Sequence, residues 1–110
     1  MYKICRFDIE RSGEIFEELR GFCQKLRKKF NIAEIFLYGS LATGEVNEGS
    51  DIDLLIVGDF KEPFLDRILK VLELTELPIE PLVYDVKEFE EMKANKNPLI
   101  FEVLSTGTKM

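Results

Sequence analysis

The chain has 110 residues, enough for one domain with a single core but short of room for a second substrate-binding lobe. It is 45% hydrophobic and 33% charged with no low-complexity run, and its net charge of -6 makes it a poor candidate for non-specific nucleic-acid binding. There is no histidine, which excludes Ser-His-Asp and Cys-His catalysis and His-ligated zinc, and two cysteines are too few for a disulfide framework or a structural zinc site. Met1 to Phe7 alternates loosely, as in a short edge strand or an arm. Ser12, or Asp8, can cap a helix running to about Phe30. Its apolar positions Ile15, Phe16, Leu19, Phe22, Cys23, Leu26 and Phe30 fall at steps of three and four and mark one buried face. Lys25, Arg27, Lys28 and Lys29 form a solvated helix end, where cations favour the macrodipole.

Asn31 ends this helix, and Ala33 to Tyr38 reads as the first central strand. Gly39 to Thr43 starts a short helix, and Gly44 to Gly49 is a polar loop. Asp51 to Val57 is the second central strand, nearly continuously apolar after its aspartates, as expected when both faces are covered. Pro63 suits a first helical turn and opens a helix to about Thr75, with Phe64, Leu65, Ile68, Leu69 and Leu72 expected to face inward. Ile79 to Tyr84 is a third strand, and Pro81, which cannot donate to a ladder, puts it at an edge. Val86 to Ala94 reads as a helix carrying Phe89 and Met92, and Asn97-Pro98 starts a final helix through Leu104. The order predicts a small α/β (α+β) domain over residues 1–110, with a mixed sheet of three to four strands and helices mainly on one face. No stretch reads as a signal peptide or a membrane span, so the expectation is a cytoplasmic chain without membrane contact.

The stretch YGSLATGEVNEGSDIDLLIV, residues 38–57, carries the chemistry. Side chains at i and i+2 of a strand share a face, so Asp51 and Asp53 converge at the start of a buried strand. Two such carboxylates repel each other unless a cation sits between them, and the pattern suits Mg²⁺, which takes oxygen ligands from carboxylates and substrate phosphates. Gly39-Ser40, after apolar Ile35-Phe36-Leu37-Tyr38, offers backbone amides and a hydroxyl at a helix start, which is an anion site. Metal ligands and a phosphate cradle in one unit point to a nucleoside triphosphate. The plain alternative, a polar strand start facing solvent, does not require the upstream Gly-Ser at this distance.

Gly39-Ser40, ten residues, then Asp51-x-Asp53 resembles the signature of the DNA-polymerase-β-like nucleotidyltransferase superfamily. The short length and the Gly-Ser-Leu-Ala-Thr-Gly-Glu form look most like the minimal nucleotidyltransferases that pair with HEPN-domain proteins in prokaryotes. The resemblance is specific over residues 35–57 and extends more loosely to Pro78–Glu91 and Asn97–Ile100. It implies a polymerase-β-like fold, two Mg²⁺ ions, and transfer of AMP from ATP to a hydroxyl. It implies Asp51 and Asp53 as metal ligands, Gly39 and Ser40 at the β- and γ-phosphates, and Thr43 and Ser50 in the nucleotide-binding loop. Position 43 is Thr where many close relatives carry a basic residue. A third carboxylate is expected on a neighbouring strand: Glu80 is the best match, with an exposed edge-strand charge as its bland reading. Asp85 is the rival, of opposite parity unless Pro81 introduces a bulge.

The resemblance also implies a HEPN-domain toxin as partner and acceptor, with this chain as antitoxin; nucleic acid would enter only as a tRNA-type acceptor, and a homo-oligomer stays open. Two other readings compete. One is a nucleotide-binding module that neutralises its partner by complex formation, the other a small-molecule nucleotidyltransferase. The sequence ends where larger relatives continue into an acceptor domain, and Ile100, Phe101, Val103 and Leu104 of the last helix either pack on the core or serve docking.

Overall fold

A computed structural model of the chain describes residues 12–39 and 52–110. Its elements are α1 (Ser12–Lys29), β1 (Ile32–Tyr38), β2 (Ile52–Gly58), α2 (Phe64–Leu72), β3 (Ile79–Asp85), α3 (Val86–Ala94), α4 (Pro98–Thr106) and β4 (Thr108–Lys109). The arm at Met1–Phe7, the short helix expected at Gly39–Thr43 and the loop at Gly44–Gly49 fall, Gly39 apart, outside the described residues.

The four strands make one mixed sheet in the order β3-β2-β1-β4. β1 is antiparallel to β2 and to β4, whereas β2 and β3 are parallel. Parallel neighbours need a crossover, and α2 supplies it. Among the described strands β3 lies at an edge, as Pro81 leads one to expect.

β1 and β2 are buried on both faces through most of their length, and their alternating side chains feed two cores. On one face Ile35, Leu37, Ile52, Leu54 and Ile56 pack against Leu19, Phe22, Cys23 and Leu26 of α1 and Val71 of α2. On the other, Phe36, Tyr38, Leu55 and Val57 pack against Phe89 of α3 and Ile100 and Val103 of α4. The small α+β domain therefore stands, but helices mainly on one face is amended. Two nine-residue helices cover the second face, because Phe36, Leu55 and Val57 leave it as apolar as the first. The core reading of Cys23 holds: the thiol is buried, and burial raises its pKa.

The second correction concerns α2. Leu65, Leu69 and Leu72, expected to face inward, are 70%, 62% and 37% exposed. The buried residues of this helix are Arg67 and Val71. Arg67 turns inward because its guanidinium finds acceptors there: Nε donates to Glu62 O at 2.7 Å, and NH1 donates to Val83 O at 3.3 Å and to Glu88 Oε1 at 2.6 Å. A buried cation with its donors satisfied is tolerable where an unpaired one is not. Rolling the helix to seat Arg67 swings the leucines outward.

In α4 the apolar run divides. Ile100 and Val103 are core, whereas Phe101 and Leu104 are exposed. Asn97 caps the helix by accepting from the Leu99 amide at 2.9 Å, with Pro98 in its first turn. Among the described residues no helix is long and apolar enough to cross a membrane.

Candidate active site

The parallel β2–β3 ladder runs without a register shift from Ile52↔Ile79 to Gly58↔Asp85. Pro81 introduces no bulge there, so parity along β3 is preserved. Asp53 pairs with Glu80 in this register. Directly paired residues on adjacent strands project to the same face, so these two carboxylates are neighbours. On the other side of Asp53, the antiparallel ladder pairs it with Tyr38. Tyr38, Asp53 and Glu80 thus form a row across three strands at one end of the sheet, on the face covered by α3 and α4.

Burial rises along this row from β3 inward. Glu80 on the edge strand is exposed, Asp53 is half-buried, and Tyr38 is buried. The Tyr38 phenol registers the surrounding charge. Burial first, then the carboxylate of Asp53, the Tyr84 phenol and the carboxylates of Glu102 and Glu80 push its pKa up to about 12. Tyr84, two turns of the pleat beyond Glu80 on the same face, is also raised, by burial and then by Glu88.

Gly39 closes the row. Its φ of +77° lies in the left-handed region, where a side chain is strained. A Cβ built there would overlap the Asp53 carboxylate. Glycine is thus required twice, once for the turn that ends β1 and once for the room Asp53 occupies. The sequence suggests a different need, close backbone approach to a phosphate, and the Asp53 contact adds to it.

Asp85 sits at the other end of β3, five residues from Glu80 and so roughly 16 Å away along an extended strand. It caps α3: its Oδ1 accepts from the Glu88 amide at 2.7 Å, while Glu88 Oε1 accepts from the Asp85 amide at 2.8 Å. This reciprocal capping box gives Asp85 a local task in starting a helix. It is not gathered with Asp53. Asp51, Ser40, Thr43 and Ser50 lie outside the described residues. Among the described residues no group of three histidine, cysteine or acidic side chains forms a metal cage, and the described carboxylates of the row are Asp53 and Glu80.

The sequence reading missed Tyr38 as a member of this group. Its position directly before Gly39 was the signal, since a residue one place before a left-handed glycine ends the strand beside whatever faces it across the ladder.

Known proteins bear on this arrangement. Residues 17–106 match the nucleotidyltransferase domain family. A protein adenylyltransferase of Thermococcus cleftensis, MntA, is 40% identical over 63 residues, which cover 57% of this chain and 60% of that protein. A candidate protein adenylyltransferase of Methanocaldococcus jannaschii, MJ0126, is 43% identical over 62 residues, covering 56% of this chain and 59% of its own length. The matched segments thus span less than two thirds of these curated relatives. The crystal structure of a candidate nucleotidyltransferase from Sulfolobus solfataricus superposes with a TM-score of 0.63 at 24% identity, over 76% of this chain and 78% of that one, a likeness of fold. The family match runs from α1 to the end of α4 and encloses Gly39, Asp53 and Glu80 in the row just described, and on that ground the chain belongs to the nucleotidyltransferase domain family.

Proposed function

We propose that the chain is a Mg²⁺-dependent nucleotidyltransferase that moves AMP from ATP to a hydroxyl of a partner protein, a HEPN-domain toxin, and so acts as its antitoxin. The observation that carries this reading is the in-register pair Asp53–Glu80 beside a left-handed Gly39, inside the matched family region. The names of the curated relatives support AMP as the transferred group and a protein as its acceptor. Asp51, Asp53 and Glu80 would hold the metal, since carboxylate oxygens are the donors Mg²⁺ prefers. Bound there, the ion would neutralise triphosphate charge and polarise the phosphoryl oxygens.

The chain's own groups then have distinct tasks. Ser40 and the backbone amides that follow Gly39 take the β- and γ-phosphates, with Thr43 and Ser50 completing the loop. Asp53, held in the gap left by Gly39, is fixed in place before substrate arrives. Glu80, the exposed member of the row, faces the incoming acceptor and takes the proton of the attacking hydroxyl. That oxygen bonds to the α-phosphorus as the bond to the β-bridging oxygen breaks, and pyrophosphate leaves. Reactions of this kind need alignment and charge stabilisation more than covalent help from the protein.

The test combines the chain, its partner and ATP, and weighs the partner by mass spectrometry. The expected result is a partner heavier by AMP, with pyrophosphate released, and Asp53→Asn should lower the rate on the order of a thousand-fold, about 4 kcal/mol of barrier. Persistent neutralisation of the partner by Asp53→Ala, with no modified partner detected, would instead establish neutralisation by complex formation.

A further inference from the structure

We propose that the outer face of α2 is a docking surface for a partner helix that carries an apolar ridge flanked by lysine or arginine. This goes beyond the catalytic reading and uses no nucleotide. It starts from the roll of α2, whose apolar arc is wider than the sheet can bury. Val71, Ile68 and the stem of Arg67 fill the inward side. Leu65, Leu69 and Leu72 remain on the surface at steps of four and three, which aligns them in one stripe along the helix. Steps of four and three are the spacing of a helix-on-helix seam. Three adjacent exposed leucines are more than the scattered apolar residues an ordinary surface shows.

The flanking charges choose the occupant. Asp66 and Glu73 each follow a stripe leucine by one residue and so border the same side of it. The nearby cation, Lys70, is engaged by Glu62 at 2.6 Å. A second copy of this chain would meet the stripe about a two-fold axis, antiparallel, with Leu69 on Leu69 and Leu65 on Leu72. That pairing sets Asp66 against Glu73 of the copy twice, four carboxylates along one seam. A helix with cations beside its ridge reverses both contacts into attractions. The chain's net charge of -6 adds long-range attraction of the same sign.

The probe is a pair of helical peptides with leucines at heptad core positions, one flanked by lysines and its twin by glutamates. Binding to the full chain is read by fluorescence anisotropy. The lysine-flanked peptide should bind at least ten-fold tighter than the twin. Leu69→Asp, and independently Leu65→Ser, should weaken it at least ten-fold with an unchanged circular dichroism spectrum, since both residues are exposed. Asp66→Lys with Glu73→Lys should invert the preference between the peptides. The same reversal placed on α3, Glu90→Lys with Glu91→Lys, should leave the preference in place. Equal affinity for the two peptides overturns the proposal, as does loss of preference in the α3 variant, which would mean attraction by overall charge alone. Light scattering that shows a dimer of the chain, split by Leu69→Asp, would also overturn it and assign the stripe to a second copy.

Discussion

The two ends of β3 use the same kinds of side chain to opposite effect. At the Asp85 end, a buried arginine is matched by the Glu88 carboxylate and two backbone carbonyls, with Asp85 Oδ2 4.0 Å from its NH2. Opposite charges and a capping box lock α2, β3 and α3 together. At the Glu80 end, two carboxylates stand side by side and a buried phenol feels three carboxylates and a second phenol around it. One end places acids where a cation of the protein meets them, the other gathers acids on one face beside the left-handed Gly39. Acidic residues near a strand end therefore say little by themselves. Register and the partner across the ladder separate a structural clip from a candidate site.

The sharpest way to break this contrast is to remove one acid from each end. Glu80→Gln should slow AMP transfer by on the order of a hundred-fold or more while ATP binding changes little, as for a group that acts on the proton in the transition state. Asp85→Asn keeps a competent helix cap and should leave the transfer rate within about two-fold, because the site is a strand length away. Silent Glu80→Gln combined with inactive Asp85→Asn would reverse the assignment of the two ends.

Next in size is the clip itself. Arg67→Ala strands the Val83 carbonyl and deprives Glu88 of its cationic partner, so urea denaturation should show a loss of about 2–3 kcal/mol, below the value for a fully buried pair because Glu88 is 44% exposed. A loss under about 0.5 kcal/mol would mean that α2 is held by Val71 and Phe64 without it. Asp85→Ala should cost about 1 kcal/mol by removing the cap of α3, measured the same way.

Smallest is a titration. Because the Tyr38 phenol is pushed up to about 12, the folded chain keeps its proton between pH 10 and 12 while the unfolded chain releases it. Stability therefore stays whole below pH 10 and falls as pH rises toward 12. Absorbance of ionised tyrosine should show a component near pH 12 that vanishes in Tyr38→Phe, and the variant should lose less stability above pH 10. A wild-type curve with every tyrosine ionised by pH 10.5 would place Tyr38 outside the acidic row.

What could be read from the sequence follows from what leaves a local trace. The edge position of β3 was legible because Pro81 can sit in few places in a sheet, whereas the strand order came only with the structure. The face of α1 was legible because Leu19, Phe22, Cys23 and Leu26 repeat at helical steps and carry no charge. The face of α2 was legible only in part, for Ile68 packs on the core as expected, but periodicity counts Arg67 as polar and cannot see the Val83 carbonyl waiting for it 16 residues later. The second helical layer was hidden for a related reason, as α3 and α4 each bury only one or two residues completely. Of the site, the parity of Glu80 was readable, but its register with Asp53 depends on a parallel pairing that only the three-dimensional arrangement supplies. The roles of Asp51, Ser40, Thr43 and Ser50 rest on the motif, since these residues lie outside the described part of the chain.

The edge of β3 has a last consequence for how the molecule can assemble. The Ile52 amide donates to Pro78 O at 2.9 Å, which in a parallel ladder turns the backbone groups of even-numbered β3 residues toward β2 and odd-numbered ones outward. Along that outward rim the Ile79 amide is already tied to Leu77 O at 2.8 Å, Pro81 has no amide hydrogen, and the Val83 carbonyl is taken by Arg67. A strand arriving from another molecule would find its hydrogen-bonding template interrupted at every second residue. Among the described residues this interrupted rim is a poor template for strand addition and for the edge-to-edge aggregation that open sheets invite.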